Sequence, residues 1–536
     1  LEKEEARLID WADNGTPQGA SGGADAPHPI FFEFMDTSVA LRLYEEVISG
    51  RYIWVAGLGW HRWTGKRWKG CGDVGIAAKV AEAVREWAVA YLRDADAERA
   101  KKCVGLNAEG KVAALCRLLR GHAEIEMSLL DADPDLFNVA NGVLNLRTGQ
   151  LEDHDTVRMR GVFITKLSEV AYVEDAHVGH GSGAITWRRA LEAVPADVRE
   201  WLRVRLGQAL TGHPPEDDML PLLHGSGANG KSSFLGAVAA AAGEYSVLLD
   251  DKVILGDPGG HSTELMDLRG ARLAWIEELP EGRYLNVTRL KKIMGTNVIR
   301  ARRMRQDPVE FAVTHSLFVN TNYKPIVTET DHGTWRRLAL VSFPYTFRKG
   351  KEKGEPLRNG TDKLGNVRLR AQLRRGRARE AVLSWLVSGA MAWYEAGKEM
   401  AALPARIETD TAGWRGQVDL IEQFWDEVLV ADAGRHVDSG HLHTVFMAWC
   451  KDKGYSTMVD RIFRARMETH ERTRGAEVRY EETRRVDSEA SEGMPDWTTL
   501  SLPGGEWIRL NVSAHYRYRS WTGVRFGSEI GGSAGD

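Results

Sequence analysis

Apolar residues recur at helical spacing between residues 75 and 130, where Ile76, Val80, Val84, Trp87, Ala90 and Tyr91 share a face. Before them, residues 52–55 and 60–63 are short runs of aromatic and β-branched residues that predict strands, with Thr64-Gly65-Lys66 turning the chain toward Trp68. Two further short strands are predicted over 136–151, broken at Asn141-Gly142 and ended at Thr148-Gly149. Helical spacing returns from Trp187 to Leu210 and stops at Pro214-Pro215. Residues 218–345 alternate short apolar strands with helices, the pattern of an α/β core. A polar, Arg-rich stretch over 350–379 leads into one helix over 380–400, ending near Gly397. After Pro404, helices are expected near 418–429, 441–451 and 457–468, with strand-like runs at 507–510 and 521–526. At the other end, 1–13 reads as a short helix and 14–29, rich in Gly, Ala, Ser and Pro, as a flexible linker.

At roughly 100–200 residues per domain, 536 residues make three or four domains. Hydrophobic residues at 43% and charged residues at 27% place the chain among soluble globular proteins. The longest apolar run, 237–242, is far too short to cross a bilayer. No signal peptide opens the chain, and its first residue, Leu1, fits a fragment of a longer protein; the expected location is intracellular, in the cytoplasm. The four cysteines form no Cys-x-x-Cys pair, which argues against a disulfide framework or a zinc site. A net charge of −4 argues against a surface coated with basic residues, but a ring can hide its arginines in a central channel.

One segment changes the picture. Gly225-Ser226-Gly227-Ala228-Asn229-Gly230-Lys231-Ser232 fits the P-loop pattern, and with Ser233 it supplies the candidate ATP-binding residues. Glycines let successive N–H groups curl around phosphate oxygens, and the following helix points its positive end at them. Lys231 would reach the β- and γ-phosphates, and the Ser232 hydroxyl would ligate Mg²⁺. The bare pattern also arises by chance in Gly-rich chains, but a plausible strand precedes this one and a plausible helix follows it. The strand 273–276 ends in Glu277-Glu278, one carboxylate for Mg²⁺ and the next to polarise the attacking water. The strand 317–319 ends in Asn320-Thr321-Asn322, where an amide could orient that water; a simple turn is the plain alternative. Arg336 or Arg337, before the strand 339–343, could reach a neighbouring subunit's ATP, or could merely flank the strand in solvent.

Glu278 stands 47 residues after Lys231, and Asn322 a further 44. This ordered series resembles the superfamily 3 helicases, in particular the phage/plasmid primase-associated branch related to the poxvirus primase-helicase. The runs Leu268-Arg269-Gly270-Ala271-Arg272-Leu273, Asn320-Thr321-Asn322-Tyr323-Lys324-Pro325 and Gly333-Thr334-Trp335-Arg336-Arg337 carry the likeness, joined upstream by Asp135–Leu146 and Gly57-Leu58-Gly59-Trp60. The resemblance implies an AAA+-like P-loop ATPase core that assembles into a ring, a hexamer. It further implies 3′-to-5′ translocation on single-stranded DNA, Asn322 as sensor and Arg336 as a finger supplied in trans. The first acid of the pair, Glu277, departs from the usual Asp.

On that likeness the expected domains are an N-terminal helix and linker (1–29), a mixed α+β helicase-associated domain (30–200), the ATPase core (201–349), an Arg-rich segment and helix (350–404) and a winged-helix-like DNA-binding domain (405–536). Catalysis is assigned to Lys231, Glu278, Asn322 and Arg336, and Mg²⁺ to Ser232 and Glu277. The basic run 298–308 predicts a hairpin whose Arg302, Arg303 and Arg305 grip DNA in the channel; a solvated charge run is the alternative. Arg461, Arg464 and Arg466 lie where a recognition helix would sit, with an ordinary amphipathic helix as the alternative. Trp54, Trp60, Trp63 and Trp68 could stack bases, but packing within a small domain is the better reading. Asp94-Ala95-Asp96 and Asp131-Ala132-Asp133 lack the setting of a primase site, and His441, His443 and Cys450 lack metal-ligand spacing.

The expected activity is that of an ATP-dependent DNA helicase translocating on single-stranded DNA in replication of a phage, plasmid or integrated element, with single-stranded and forked DNA and a primase module as partners and no membrane. A DNA-binding initiator that ATP assembles without unwinding, and an NTPase of a defence complex, are the alternatives.

Overall fold

The computed structural model describes residues 33–255, 262–302, 308–327, 329, 332–350, 354–455, 457–484, 499–501, 507–509 and 517–527. The helix expected over 1–13 and the linker over 14–29 lie outside the described residues.

The chain forms two compact units, one of residues up to Thr64 with Trp68–Leu129, the other of Gly65–Arg67 with Leu130 onward. In the first, α1 (Asp36–Leu43), α2 (Asp73–Arg93), α3 (Ala97–Leu106) and α4 (Glu109–Ala123) accompany a sheet of order β3-β2-β1-β4. Its strands are β1 (Tyr52–Val55), β2 (Gly59–Trp63), β3 (Trp68–Gly70) and β4 (Glu124–Ile125). The periodic face of α2 is the buried one, with Ile76, Val80, Val84 and Trp87 meeting Leu43, Leu115 and Leu119. Trp60 and Trp68 are 1% and 2% exposed, so they pack as core. Asp96 caps α3 by accepting from the Arg99 amide at 3.0 Å, a structural use of half the Asp-x-Asp pair.

The second unit opens with β5 (Leu136–Val139), β6 (Gly142–Asn145) and β7 (Leu151–Glu152), an antiparallel set. The helical stretch expected from 187 to 210 is two helices, α5 (Ser182–Leu191) and α6 (Ala196–Gln208). Pro195 sits at the start of α6, where its missing N–H costs nothing. A five-stranded sheet follows, all parallel, in the order β14-β8-β13-β10-β9. These strands are β8 (Leu220–His224), β9 (Ser246–Leu249), β10 (Leu273–Glu277), β13 (Ser316–Thr321) and β14 (Leu338–Ser342). An antiparallel pair, β11 (Val298–Ala301) and β12 (Val309–Ala312), lies in the chain between β10 and β13.

Strand residues alternate between the two faces of the sheet. Leu223, Leu273, Phe318 and Val341 pack with α5, α6, α7 (Lys231–Ala242), and, beyond the sheet, α9 (Leu369–Leu373) and α10 (Arg377–Glu395). Leu222, Ala274, Leu317 and Leu340 pack on the opposite face, with α8 (Val287–Met294) and with Ile299, Ala301 and Phe311 of the β11–β12 pair.

Contacts cross two of the expected boundaries. Residues 130–200 join the sheet-bearing unit, because Arg272, 4% exposed, donates to the carbonyls of Leu210 (2.8 Å) and Leu136 (2.7 Å) while lying over the Tyr245 ring. The helix α11 (Ala405–Val418) also belongs to the sheet: Ile407 and Trp414 enter its two cores, and Thr411 Oγ accepts from the Leu340 amide of the edge strand at 2.9 Å.

After the sheet, β15 (Thr346–Arg348) pairs in parallel with β16 (Asp362–Leu364), and the remaining elements begin at the Asp419 cap of α12 (Leu420–Val428). They continue with β17 (Leu429–Asp438), α13 (Ser439–Asp452), α14 (Asp460–Thr469), β18 (Arg479–Arg484), β19 (Thr499–Ser501), β20 (Trp507–Arg509) and β21 (Arg517–Phe526). The sheet β17-β21-β18 is antiparallel, and Phe424, Phe446, Trp449, Phe463 and Trp521 form the core beside it.

The tightest helix contact is α6 on α10. A Cβ at Gly389 would lie 2.1 Å from the Arg203 carbonyl, and one at Gly207 2.2 Å from the Ala390 nitrogen. Gly389→Val should therefore cost about 1–3 kcal/mol by overpacking, seen as a lowered melting temperature. Gly75→Ala, in α2 with nothing within 4 Å, should leave it equal or higher.

Candidate functional site

Strand β8 is buried along its length until His224, and the chain then turns through Gly225–Gly230 into α7. Backbone angles explain the glycines. Gly227 and Gly230 have φ of 95° and 85°, where a side chain is strained. A Cβ on Gly225 would lie 2.2 Å from the Asn229 amide and 2.7 Å from the Phe343 carbonyl. The loop is pinned from outside by the Phe347 amide, which donates to the Ala228 carbonyl at 2.8 Å.

Lys231, the first residue of α7, is 3% exposed. Its ammonium donates to the Gly225 carbonyl (2.6 Å), Asn229 Oδ1 (3.2 Å) and Asn322 Oδ1 (3.0 Å). Burial pulls its pKa down to about 8, while the Glu278 carboxylate works in the opposite sense. Burial also lowers His224, with Lys324 and Lys231 adding to the effect.

Glu278 follows β10 with φ of 68°, and its amide donates to the Asn320 carbonyl at 2.7 Å. Its carboxylate accepts from the Asn322 amide (3.0 Å) and side-chain Nδ2 (2.8 Å). Asn322 thus bridges Lys231 and Glu278, bringing three of the expected catalytic residues together. Glu277 is exposed and pairs in register with Asn320. Asn320 Nδ2 donates to Ser232 Oγ at 3.1 Å, and its buried Oδ1 has no hydrogen-bond partner. The contacts of Asn229 with Lys231 and of Asn320 with Ser232 escaped sequence reasoning. The only signal was the pair of amides closing an apolar strand.

Arg336 is not with this group. Leu338 pairs with Leu220, so Arg336 and Arg337 stand where β14 begins, while the glycine loop leaves where β8 ends. Five strand residues separate the two ends, about 16 Å at 3.3 Å per residue. Arg337 donates to Asp218 at 3.1 Å and to the Gly333 carbonyl, whereas Arg336 is exposed. The β11–β12 pair aligns Arg300 with Glu310 and leaves Arg302 exposed at its end; Arg303 and Arg305 lie outside the described residues.

On α14, Arg461 is exposed, Arg464 pairs with Asp460 and lies over Tyr480, and burial lowers Arg466. Asp131 accepts from the Thr165 amide at 2.7 Å, and His443 contacts the Met458 carbonyl at 2.8 Å, so both have structural partners. Among the described residues no group of three His, Cys, Asp or Glu could hold a metal ion, and no helix is long and apolar enough to cross a membrane.

Three family models match the chain: "D5 N terminal like" over 40–197, a "Family of unknown function (DUF5906)" over 223–337, and "Poxvirus D5 protein-like" over 417–498. The chain is 28% identical over 248 residues to a protein of African swine fever virus named "Putative primase", covering 44% of this chain and 24% of that protein. It is 28% identical over 231 residues to a protein of Acanthamoeba polyphaga mimivirus named "Putative helicase", covering 42% and 23%. The chain spans about a quarter of the length of the curated relatives it matches. A solved structure of the NrS-1 C-terminal region aligns with 88% of this chain and 98% of its own at 11% identity, with a TM-score of 0.42.

An amine-reactive acylating reagent should modify Lys231 with an apparent pKa near 8. Glu278→Gln should move that value lower, because the carboxylate that opposes the shift is gone. Peptide mass spectrometry across pH 6–10 reads both.

Proposed function

We propose that this chain, a member of the primase-helicase family related to poxvirus D5, is an ATP-driven DNA helicase motor built on an AAA+-like P-loop core. The observation that carries the reading is the Lys231–Asn322–Glu278 bridge at the end of a parallel sheet, beside a loop whose glycines are set by positive φ at Gly227 and Gly230 and by close contact at Gly225. The strand order supports it too: the loop-bearing strand β8 lies between the last strand and the Asn-bearing strand.

In this reading the amides of residues 225–233 and the Lys231 ammonium hold the triphosphate of ATP. Ser232 and Glu277 would hold Mg²⁺, which would supply neutralisation of charge on the phosphates. Glu278 takes the proton of the attacking water, and Asn322 holds that carboxylate in place while its other end contacts the lysine. Binding of a γ-phosphate would draw Lys231 away from Asn322, so the same amide can report nucleotide state to β13.

Arg336, at the opposite end of the sheet from its own loop, serves a neighbouring subunit's nucleotide, which requires a ring; six subunits fit the family resemblance. Arg337, engaged with Asp218, is the positioning partner rather than the finger. The hairpin β11–β12 carries Arg302, with Arg303 and Arg305, into the channel to grip single-stranded DNA. The elements from α12 to β21 follow the helix, strand, helix, helix and antiparallel-sheet order of a winged helix, with Arg461 exposed on the third helix. Replication of a phage, plasmid or integrated element in a bacterial cytoplasm, beside a primase module, is the setting that fits.

Lys231→Ala should abolish ATP hydrolysis. Glu278→Gln should bind ATP and lower turnover by about 10²–10⁴-fold, the usual contribution of a general base. Arg336→Ala should depress hydrolysis with ATP binding retained, and mixing it with Lys231→Ala chains should restore part of the activity. A forked-DNA assay with 3′ or 5′ tails, with and without ATP, tests the motor. ATP-dependent DNA retention without strand displacement would instead identify an initiator, and ATP turnover indifferent to DNA a motor for other work.

A further inference from the structure

The arginines after the sheet play no part in the motor just described. Between Lys363 and Arg379 the chain has six arginines and no Asp or Glu, within a protein of net charge −4. Two short helical starts display them. Arg368 and Arg370 flank and begin α9, Arg374 and Arg375 follow it, and Arg377 opens α10; all five are exposed. Helix α5 packs against this region so closely that a Cβ on Gly183 would lie 2.2 Å from the Arg377 carbonyl, and its Arg189 is exposed too. Leu373, Trp187, Ala381 and Val382 pack these helices into one core.

Its position separates it from the hairpin. The arginine-bearing helices cover the face of the sheet that holds Phe318 and Val341, and β11–β12 packs on the face that holds Leu317 and Leu340. A strand held by Arg302 on one face is not the ligand of the arginines on the other.

We propose that Arg368, Arg370, Arg374, Arg375, Arg377 and Arg189 form a second nucleic-acid surface that binds the phosphate backbone of duplex DNA. Clustered exposed guanidinium groups of one sign are matched by a polyanion, and each would neutralise a phosphate and release a counterion. The choice of duplex rests on composition. Surfaces for single strands interleave basic residues with aromatic rings on which bases stack, and residues 363–379 contain no Phe, Tyr or Trp. Paired bases need no such platform, because their faces are already stacked within the duplex and backbone contacts go to phosphate and sugar.

The test is binding of the full chain, without ATP, to a labelled 24-base-pair duplex and to the matching single strand over a series of KCl concentrations. Because no nucleotide is present, the outcome is separate from whether the chain is a motor. The combined variant Arg374→Gln, Arg375→Gln and Arg377→Gln should bind duplex more weakly. The slope of log K against log [KCl] should become shallower by about 2–3, at roughly 0.9 per lost phosphate contact. Single-strand binding should change little, and the corresponding Arg→Lys variant, which keeps the charge, should retain most of the slope. Equal melting temperatures for the variants exclude misfolding as the cause. An unchanged duplex slope in the Gln variant overturns the proposal. So does a loss confined to the single strand, and so does unaltered duplex binding with lost retention of a poly-glutamate peptide, which would mark a protein-docking face.

Discussion

A charged amine enclosed by protein must be surrounded by oxygen, and the middle of this chain is arranged around that requirement. Leaving such a group without acceptors costs several kcal/mol. Lys231 has three, and they come from two separate stretches of chain: a loop carbonyl and the Asn229 side chain before it, and Asn322 at the end of β13. Asn322 directs its donors to Glu278, so the carboxylate is placed by the same residue that satisfies the ammonium. Gly225 is bare because the Asn229 amide occupies the space where its Cβ would be. A change at any of these positions is felt at the others.

The parallel sheet turns this local arrangement into an architecture. Because side chains alternate along each strand, one sheet supports two independent cores. The face toward α8 carries the hairpin, and the face toward α6, α7 and α10 carries the long helices and the arginine-rich start of α10. Parallel strands also put all their C-terminal ends at one edge, so the glycine loop, Glu278 and Asn322 converge although 91 residues separate Lys231 from Asn322. Arg336 precedes its strand and is therefore excluded from that edge.

How much of this was legible in the sequence follows from how local each cause is. The loop around Lys231 could be read because positive φ at Gly227 and Gly230 demands glycine at fixed spacing. The buried face of α2 and the strand positions of 273–276 and 317–319 could be read because periodicity is a property of the segment itself. The partnership of Asn320 with Ser232 could not, since it depends on the parallel register that sets Asn320 opposite Leu223 of the loop-bearing strand. The interruption before α6 was missed because apolar spacing continues across it; Pro195 was the available sign. The attachment of α11 to the sheet edge was hidden for a related reason. Pro404 marks where a helix starts, and says nothing of what that helix packs on.

Arg272 sets a lower limit on what can be cut away. Its guanidinium is sealed inside by carbonyls of Leu136 and Leu210 and by the Tyr245 ring, and the Tyr245 hydroxyl accepts from the Asn138 amide at 3.1 Å. A fragment begun at residue 201, where the resemblance draws the edge of the ATPase, would strip one of those carbonyls from a buried cation and uncover an aromatic ring. A fragment that keeps this cation enclosed has to start near Leu130, because the hairpin 136–145 forms part of the wall around it.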